Sequence, residues 1–124
     1  MKDKTSLPLQ QQLERSMKNF LEEERWEAMT LFSSEGLPMA STGYSLVYNQ
    51  ENLLEFAFSL IESVRLLGND LPAREITIRG REGKTLVFKY FEAWDDELIL
   101  AAVVTGRKGY KRAMGKLIKW LQSQ

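Results

Sequence analysis

A run of seven apolar residues, from Leu98 to Val104, constrains the fold more than any other feature of the chain. Strand side chains alternate between two faces, so a strand of this composition is apolar on both and belongs at the centre of a sheet. The run is far shorter than the roughly 20 residues that a membrane-spanning helix needs. Residues 94–97 come just before it and predict a turn, because Asp favours turns. We therefore predict a central strand at 98–104.

Two hairpins are predicted to supply the other strands. Turn-forming residues at 33–36 and 80–83 separate segments that are apolar or that alternate between polar and apolar residues. Pro38 has no backbone N–H, which places its strand at an edge of the sheet. The segment that precedes the second turn alternates Glu75, Thr77 and Arg79 with Ile76 and Ile78, which predicts a half-buried strand. The four predicted strands span residues 26–32, 37–42, 74–80 and 84–92.

Three segments have the three- and four-residue spacing of amphipathic helices. The first has Ser6 as a candidate cap and Pro8 in its first turn. The second is long, and its apolar side covers roughly 200° of its circumference, about twice the width that packing on one sheet requires. Part of that surface is therefore expected to contact something other than its own sheet. The predicted helices span residues 8–23, 50–67 and 110–121.

The element order α-β-β-α-β-β-β-α fits within 124 residues, which predicts a single domain spanning residues 1–124 with its first few residues flexible. Seventeen Lys and Arg residues balance seventeen Asp and Glu residues, so bulk charge favours neither nucleic acid nor membrane as a partner. The first four residues, Met-Lys-Asp-Lys, lack the apolar segment of a signal peptide. We expect a cytoplasmic protein.

The chain contains no cysteine and no histidine. Their absence removes the usual nucleophile, the usual general base near neutral pH and the nitrogen and sulfur ligands of zinc. Asp95, Asp96 and Glu97 form a carboxylate cluster suited to a hard cation, but a turn between strands is the commoner use of such residues. We predict that the protein is not an enzyme and has no catalytic residue, cofactor or metal.

Two glycine-containing loops resemble ligand-binding motifs. Residues 80–85 resemble the end of a phosphate-binding loop, but Ile78 stands where a glycine is required and the segment joins two strands, so we interpret it as a hairpin turn. Residues 106–109, Gly-Arg-Lys-Gly, resemble the nucleic-acid loop of KH domains. That loop joins two helices, whereas residues 106–109 follow a strand. A flexible turn and a general anion site before the last helix remain the alternatives.

The last helix is positively charged, because no acidic residue follows Glu97. Such a helix would attract acidic lipid, RNA or an acidic protein surface. Alternatively, the glutamates of the first helix offset these charges if the two helices are neighbours. The predicted anion or partner patch consists of Arg107, Lys108, Lys111 and Arg112, followed on the same helix by Lys116 and Lys119.

The segment Ala28-Met-Thr-Leu-Phe-Ser-Ser-Glu-Gly-Leu-Pro-Met-Ala-Ser41 resembles the first hairpin of the roadblock superfamily, in which an apolar strand, an acidic-glycine turn and a Leu-Pro-containing strand recur. The long helix, the Ile-Thr-Ile-Arg strand at 76–79 and the acidic turn before the apolar last strand also sit where that family has them. The resemblance implies an α/β (α+β), profilin-like three-layer sandwich. In it, a five-stranded antiparallel sheet has the long helix on one face and both terminal helices on the other.

The resemblance further implies a homodimer formed through the long helix and the third strand. The wide apolar side of that helix and the unpaired backbone groups of an edge strand favour the same surface. Trp94 is expected to be the most exposed tryptophan and a candidate interface anchor. The predicted dimer interface consists of Leu54, Phe58, Ile61, Arg65, Glu75, Thr77 and Arg79.

Members of this family serve as dynein light chains, as scaffold subunits at membranes and, in bacteria, as partners and activators of Ras-like small GTPases. The resemblance therefore implies a non-catalytic homodimeric adaptor or regulator that binds such a GTPase or another roadblock-type protein, with a GTPase-activating or scaffold role. Membrane contact would be indirect, and nucleic acid is not an expected partner. The alternative is an anion-binding module that contacts nucleic acid or acidic lipid through the basic last helix. A small-molecule sensor ranks last, because no polar residues mark a pocket.

Overall fold

The computed structural model describes residues 2–33, 35–44, 52, 53, 55, 56, 59, 75–80, 83–105 and 109–124. The predicted order of helices and strands is confirmed. The elements are α1 (Lys2–Glu24), β1 (Ala28–Phe32), β2 (Pro38–Gly43), the helix α2, to which residues 52, 53, 55, 56 and 59 belong, β3 (Glu75–Arg79), β4 (Lys84–Ala93), β5 (Asp96–Thr105) and α3 (Lys111–Gln122).

The five strands form one antiparallel sheet in the order β2-β1-β5-β4-β3. β5 is the central strand, as its apolar run predicts, and every residue from Leu98 to Val104 is buried. β2 and β3 are the two edges, as predicted. The backbone groups on the outer sides of these two strands are therefore the ones that the sheet itself does not pair.

Helices cover both faces of the sheet, which gives the predicted three layers. On one face, termed the helix-pair face, alternate residues of β5 pack with α1 and α3 in the larger core cluster. The other face, termed the α2 face, has a smaller cluster in which Leu53 of α2 packs against Phe88 and Ile99. The buried side chains of α1 and α3 are those of the predicted stripes: Leu13, Met17, Leu21, Met114, Leu117, Ile118 and Leu121.

The helix α1 begins at Lys2, six residues before the predicted start at residue 8. Pro8 therefore lies inside the helix rather than in its first turn, and Ser6 is not its cap. A proline near a helix start removes one backbone hydrogen bond, and its fixed φ angle is compatible with a helix, so further turns can precede it. No helix in the described part of the chain is long and apolar enough to cross a membrane.

The turn between β4 and β5 is shorter than predicted. It consists of two residues, Trp94 and Asp95, whose φ angles of 55° and 61° are both positive. Two positive φ angles in a two-residue loop match the right-handed twist of the flanking strands. β5 consequently begins at Asp96, two residues before the predicted strand, and Glu97 pairs with Glu92 across the hairpin.

Candidate interaction surface

The outer side of β3 presents backbone groups that face away from the sheet. The N–H of Gly80 donates to the carbonyl oxygen of Lys84 (2.8 Å), and the direction of hydrogen bonding alternates along an antiparallel strand. Within the described part of the chain, no hydrogen bond reaches the outward backbone groups of this strand. The residues that carry them are Glu75, Thr77 and Arg79.

Side chains on the helix-pair face connect this open edge to α3. The hydroxyl group of Tyr110, the residue before α3, donates to Glu75 Oε2 (3.1 Å), and its oxygen lies 2.9 Å from Thr77 Oγ1. Lys89 stands directly opposite Glu75 on β4, and its Nζ lies 3.2 Å from Glu75 Oε1. These contacts hold the start of α3 against the edge strand.

The same contacts determine the ionisation of Glu75. Burial by itself raises the pKa of the carboxyl group, but hydrogen bonds from Lys89 and Tyr110 and the positive charges of Lys89 and Lys111 act in the opposite direction. Together they hold the pKa of Glu75 below its ordinary value of 4.5. Tyr110 directly precedes α3, and Lys111 is its first residue. The Glu75 carboxylate therefore attracts the start of α3 to the β3 edge.

An apolar surface lies beside the same edge on the α2 face. Ile76 and Ile78 of β3 are half-buried and pack against the core cluster there. The ring of Phe56 contacts that of Phe88, with 6.1 Å between ring centroids, yet the Phe56 side chain remains 43% exposed. An exposed aromatic ring beside half-buried aliphatic side chains and an unpaired strand edge is typical of a surface that a partner covers.

The β3 residues predicted at the dimer interface lie at this open edge, and Thr77 and Arg79 are exposed. The α2 residues predicted there fall outside the described residues: Leu54, Phe58, Ile61 and Arg65. The structure therefore describes the strand half of the predicted interface.

Solved structures with the same architecture share little sequence with this chain. MglB from Myxococcus xanthus is 10% identical, with a TM-score of 0.67, over 90% of this chain and 82% of that one. The gliding protein MglB from Thermus thermophilus is 13% identical, with a TM-score of 0.66, over 93% and 92%. A Roadblock/LC7 domain from Streptomyces avermitilis is 16% identical, with a TM-score of 0.59, over 79% and 83%.

The chain has the roadblock fold. The sequence-based prediction of this fold is thereby confirmed. At these identities the likeness concerns the fold alone. No protein-family model and no curated protein matches the sequence.

The basic surface of this roadblock fold lies on α3. Four positively charged side chains of that helix are exposed, and none of them forms a salt bridge within the described part of the chain. α1 and α3 are neighbours on the helix-pair face, as the alternative interpretation of the basic charges requires. However, no ion pair among the described residues joins the two helices, so the α1 glutamates do not neutralise the α3 charges through direct salt bridges. The exposed residues are Lys111, Arg112, Lys116 and Lys119, whereas Arg107 and Lys108 lie outside the described residues.

The loops that resemble ligand-binding motifs differ in how far the structure describes them. Gly80 and Lys84 close a β-hairpin by a backbone hydrogen bond, so the segment does not open a helix, and the hairpin interpretation is confirmed. In the acidic cluster, Asp95 lies in the turn between β4 and β5, and Asp96 and Glu97 begin β5, where Asp96 Oδ1 accepts the N–H of Glu97 (2.8 Å). In the described residues, no group of three acidic side chains is placed to hold a metal ion. Residues 106–108 are outside the described part.

Trp26 is buried, and Trp94 and Trp120 are both half-buried. Trp94, expected to be the most exposed, is half-buried against the larger core cluster, and its indole nitrogen is buried without a hydrogen-bond partner among the described residues.

Lys89 and Tyr110 belong to the surface but are not among the residues predicted from the sequence. Lys89 had a detectable signal, because Glu75 and Lys89 carry opposite charges and lie at equal distances in sequence from position 82, inside the predicted 80–83 turn. Tyr110 had none, since its spacing is that of the apolar stripe of α3. Only the packing of α3 on the sheet places its hydroxyl group beside Glu75.

Proposed function

We propose that this protein is a homodimeric adaptor or regulator without catalytic activity of its own, and that it binds a Ras-like small GTPase. The open edge of β3 beside the apolar surface around Phe56 is the observation on which the proposal depends. The roadblock fold supports it, because the family that this fold characterises includes partners and activators of such GTPases.

Self-association at β3 has a simple geometry. A two-fold axis through the middle of the strand would set two copies of β3 antiparallel, so that Thr77 of each copy lies near the axis. The outward N–H and C=O groups of both strands would then pair, and α2 of each copy would lie beside the other on the α2 face. The predicted interface residues Leu54, Phe58, Ile61 and Arg65 would contact the second copy there.

The replacement Thr77→Pro tests this dimer. The N–H of Thr77 faces outward, so proline removes a hydrogen bond to the second copy without removing one to β4. Because both copies carry the change, two hydrogen bonds at roughly 0.5–1.5 kcal/mol each are lost, and the dimer should weaken roughly fivefold to more than a hundredfold. Sedimentation equilibrium measures the dissociation constant.

The matched control for this replacement is Thr77→Val. It keeps the backbone N–H and removes only the hydroxyl contacts with Tyr110 and Glu75, which lie within the same copy, so its dimer should dissociate like the wild type. An unchanged dissociation constant in Thr77→Pro, with the fold retained by circular dichroism, would rule out dimerisation at β3.

Binding of a GTPase is tested separately. Activation would require no catalytic residue here, because an adaptor can order the catalytic groups of the GTPase itself. Ras-like GTPases of the source organism, loaded with GDP or with a non-hydrolysable GTP analogue, are immobilised and the wild-type protein is passed over them. Saturable binding that favours one nucleotide state supports the proposal, whereas absence of binding to every such GTPase in both states contradicts it.

The exposed basic residues of α3 favour a second candidate, an anion-binding module for nucleic acid or acidic lipid. Binding by Lys and Arg to a polyanion releases counterions and weakens steeply with salt. The double replacement Lys116→Glu and Lys119→Glu should abolish binding to RNA and to acidic vesicles, whereas Lys18→Glu on the exposed side of α1 should not. Absence of salt-dependent binding by the wild type removes this candidate.

A further inference from the structure

The two edges of the sheet are not equally accessible. At the β2 edge, the N–H of Tyr44 donates to the carbonyl oxygen of Glu27 (3.1 Å), which sets the alternation of hydrogen bonds along the strand. The N–H groups of Ser41 and Gly43 consequently point away from β1. Exposed groups of this kind are a template for pairing with another chain unless they are covered.

A carboxylate from α1 covers the middle of the β2 edge. Glu14 Oε2 accepts the outward N–H of Ser41 at 3.2 Å, and the Glu14 side chain is half-buried in this position. The bond joins two residues that are 27 positions apart, so it results from the packing of α1 along β2 rather than from a local turn.

The ends of the β2 edge are also closed. A β-carbon at Gly43 would lie 2.8 Å from Cδ2 of Leu21, so α1 is in close contact with that end of the strand. At the other end, Pro38 has no N–H to offer, and the register shifts between Leu31 and Phe32 on β1. The β3 edge has no comparable cover among the described residues.

We propose that Glu14 determines which sheet edge this protein uses for self-association, by occupying the β2 edge and leaving β3 as the one edge strand that no described residue covers. An incoming strand at β2 would have to displace the carboxylate from Ser41 and bring its own carbonyl oxygen close to that negative charge. A chain with two open edges would add copies at both and form open-ended assemblies, whereas a chain with one open edge closes as a dimer. The inference rests on the proposed dimer at β3.

The replacement Glu14→Ala removes the carboxylate while alanine maintains the helix, and Glu14→Gln is the matched control because its amide oxygen can still accept the N–H of Ser41. By sedimentation velocity, Glu14→Ala should form species larger than the dimer, with a mass that rises with concentration. Glu14→Gln should sediment like the wild type. Identical sedimentation of Glu14→Ala and the wild type at all concentrations would overturn the proposal.

The double variant Glu14→Ala with Thr77→Pro separates edge pairing from general aggregation. With pairing at β3 weakened and β2 open, its average mass should fall back toward that of a dimer, whereas non-specific aggregates would remain large. If Thr77→Pro alone leaves the wild-type assembly unchanged, the proposed β3 dimer fails. In that case the comparison of Glu14→Ala with Glu14→Gln still tests the role of Glu14. If Glu14 covers the β2 edge, the assemblies of Glu14→Ala should be larger than those of Glu14→Gln, because further copies can then pair at β2.

Amide hydrogen exchange gives a second measurement that does not depend on assembly. At a concentration where each variant is monomeric, the N–H of Ser41 should exchange about tenfold faster in Glu14→Ala than in the wild type, and Glu14→Gln should retain most of the protection. Equal exchange of this amide in the wild type and Glu14→Ala would show that Glu14 does not hold it, and the proposal would fall.

Discussion

Two glycines with nearly the same backbone conformation should respond very differently to the same substitution. Gly43 and Gly83 have φ angles of 80° and 75°, a region that L-residues rarely adopt. Replacement by alanine therefore costs about 1–2 kcal/mol of unfolding free energy at either position from the backbone alone. At Gly83 nothing lies within 4 Å of the added β-carbon, so no further cost is expected.

At Gly43 the added β-carbon would overlap the carbonyl oxygen of Glu27 and lie 2.8 Å from Cδ2 of the buried residue Leu21. The carbonyl cannot withdraw without losing its hydrogen bond from Tyr44, worth about 1 kcal/mol. Forcing a side chain into packed structure costs a further 1–3 kcal/mol or so. Gly43→Ala should therefore destabilise the protein by about 3–6 kcal/mol, and Gly83→Ala by about 1–2 kcal/mol.

Urea unfolding followed by tryptophan fluorescence measures both variants. Protein concentration must be equal in all samples, because dissociation of an oligomer changes apparent stability with concentration. Differences in unfolding free energy below about 1 kcal/mol are within the spread of such measurements. If Gly43→Ala and Gly83→Ala differ by less than that, α1 is not closely packed against the end of β2.

The remaining predictions concern α3 and the Glu75 network. Gly115 lies within α3 with nothing within 4 Å of an added β-carbon, so Gly115→Ala should stabilise the protein by about 0.5–1 kcal/mol in urea unfolding. Tyr110→Phe should reduce stability by about 1 kcal/mol and raise the pKa of Glu75, measured by carboxyl NMR titration. The pKa of Glu75 is lowered on folding, so its stabilising contribution is complete above its ordinary pKa of 4.5 and is lost as pH falls through the lower folded value. In Glu75→Gln, the urea midpoint should therefore fall less steeply than in the wild type as the pH drops below 4.5. An equally steep fall in both proteins would contradict the lowered pKa of Glu75.

Much of the fold follows from local patterns. The apolar run at 98–104 has no polar side to expose to water, and the structure places β5 at the centre of the sheet. Pro38 cannot donate a ladder hydrogen bond, and β2 is an edge. The spacing of Leu13, Met17 and Leu21 predicts the buried stripe of α1, because side-chain direction repeats with the helical period. These features depend on residues that are near each other in the chain.

The contacts of the candidate surface are of another kind. Glu14 meets Ser41 across 27 residues, and Tyr110 meets Glu75 across 35, so no periodic pattern indicates either pair. The β4–β5 turn is likewise shorter than its acidic residues indicate, because Asp96 and Glu97 pair with β4. The sequence by itself determined which strands are central and which lie at an edge, since burial pattern and backbone donors are properties of single segments. Only the tertiary structure decided which edge stays open, because that depends on where α1 and α3 come to rest against the sheet.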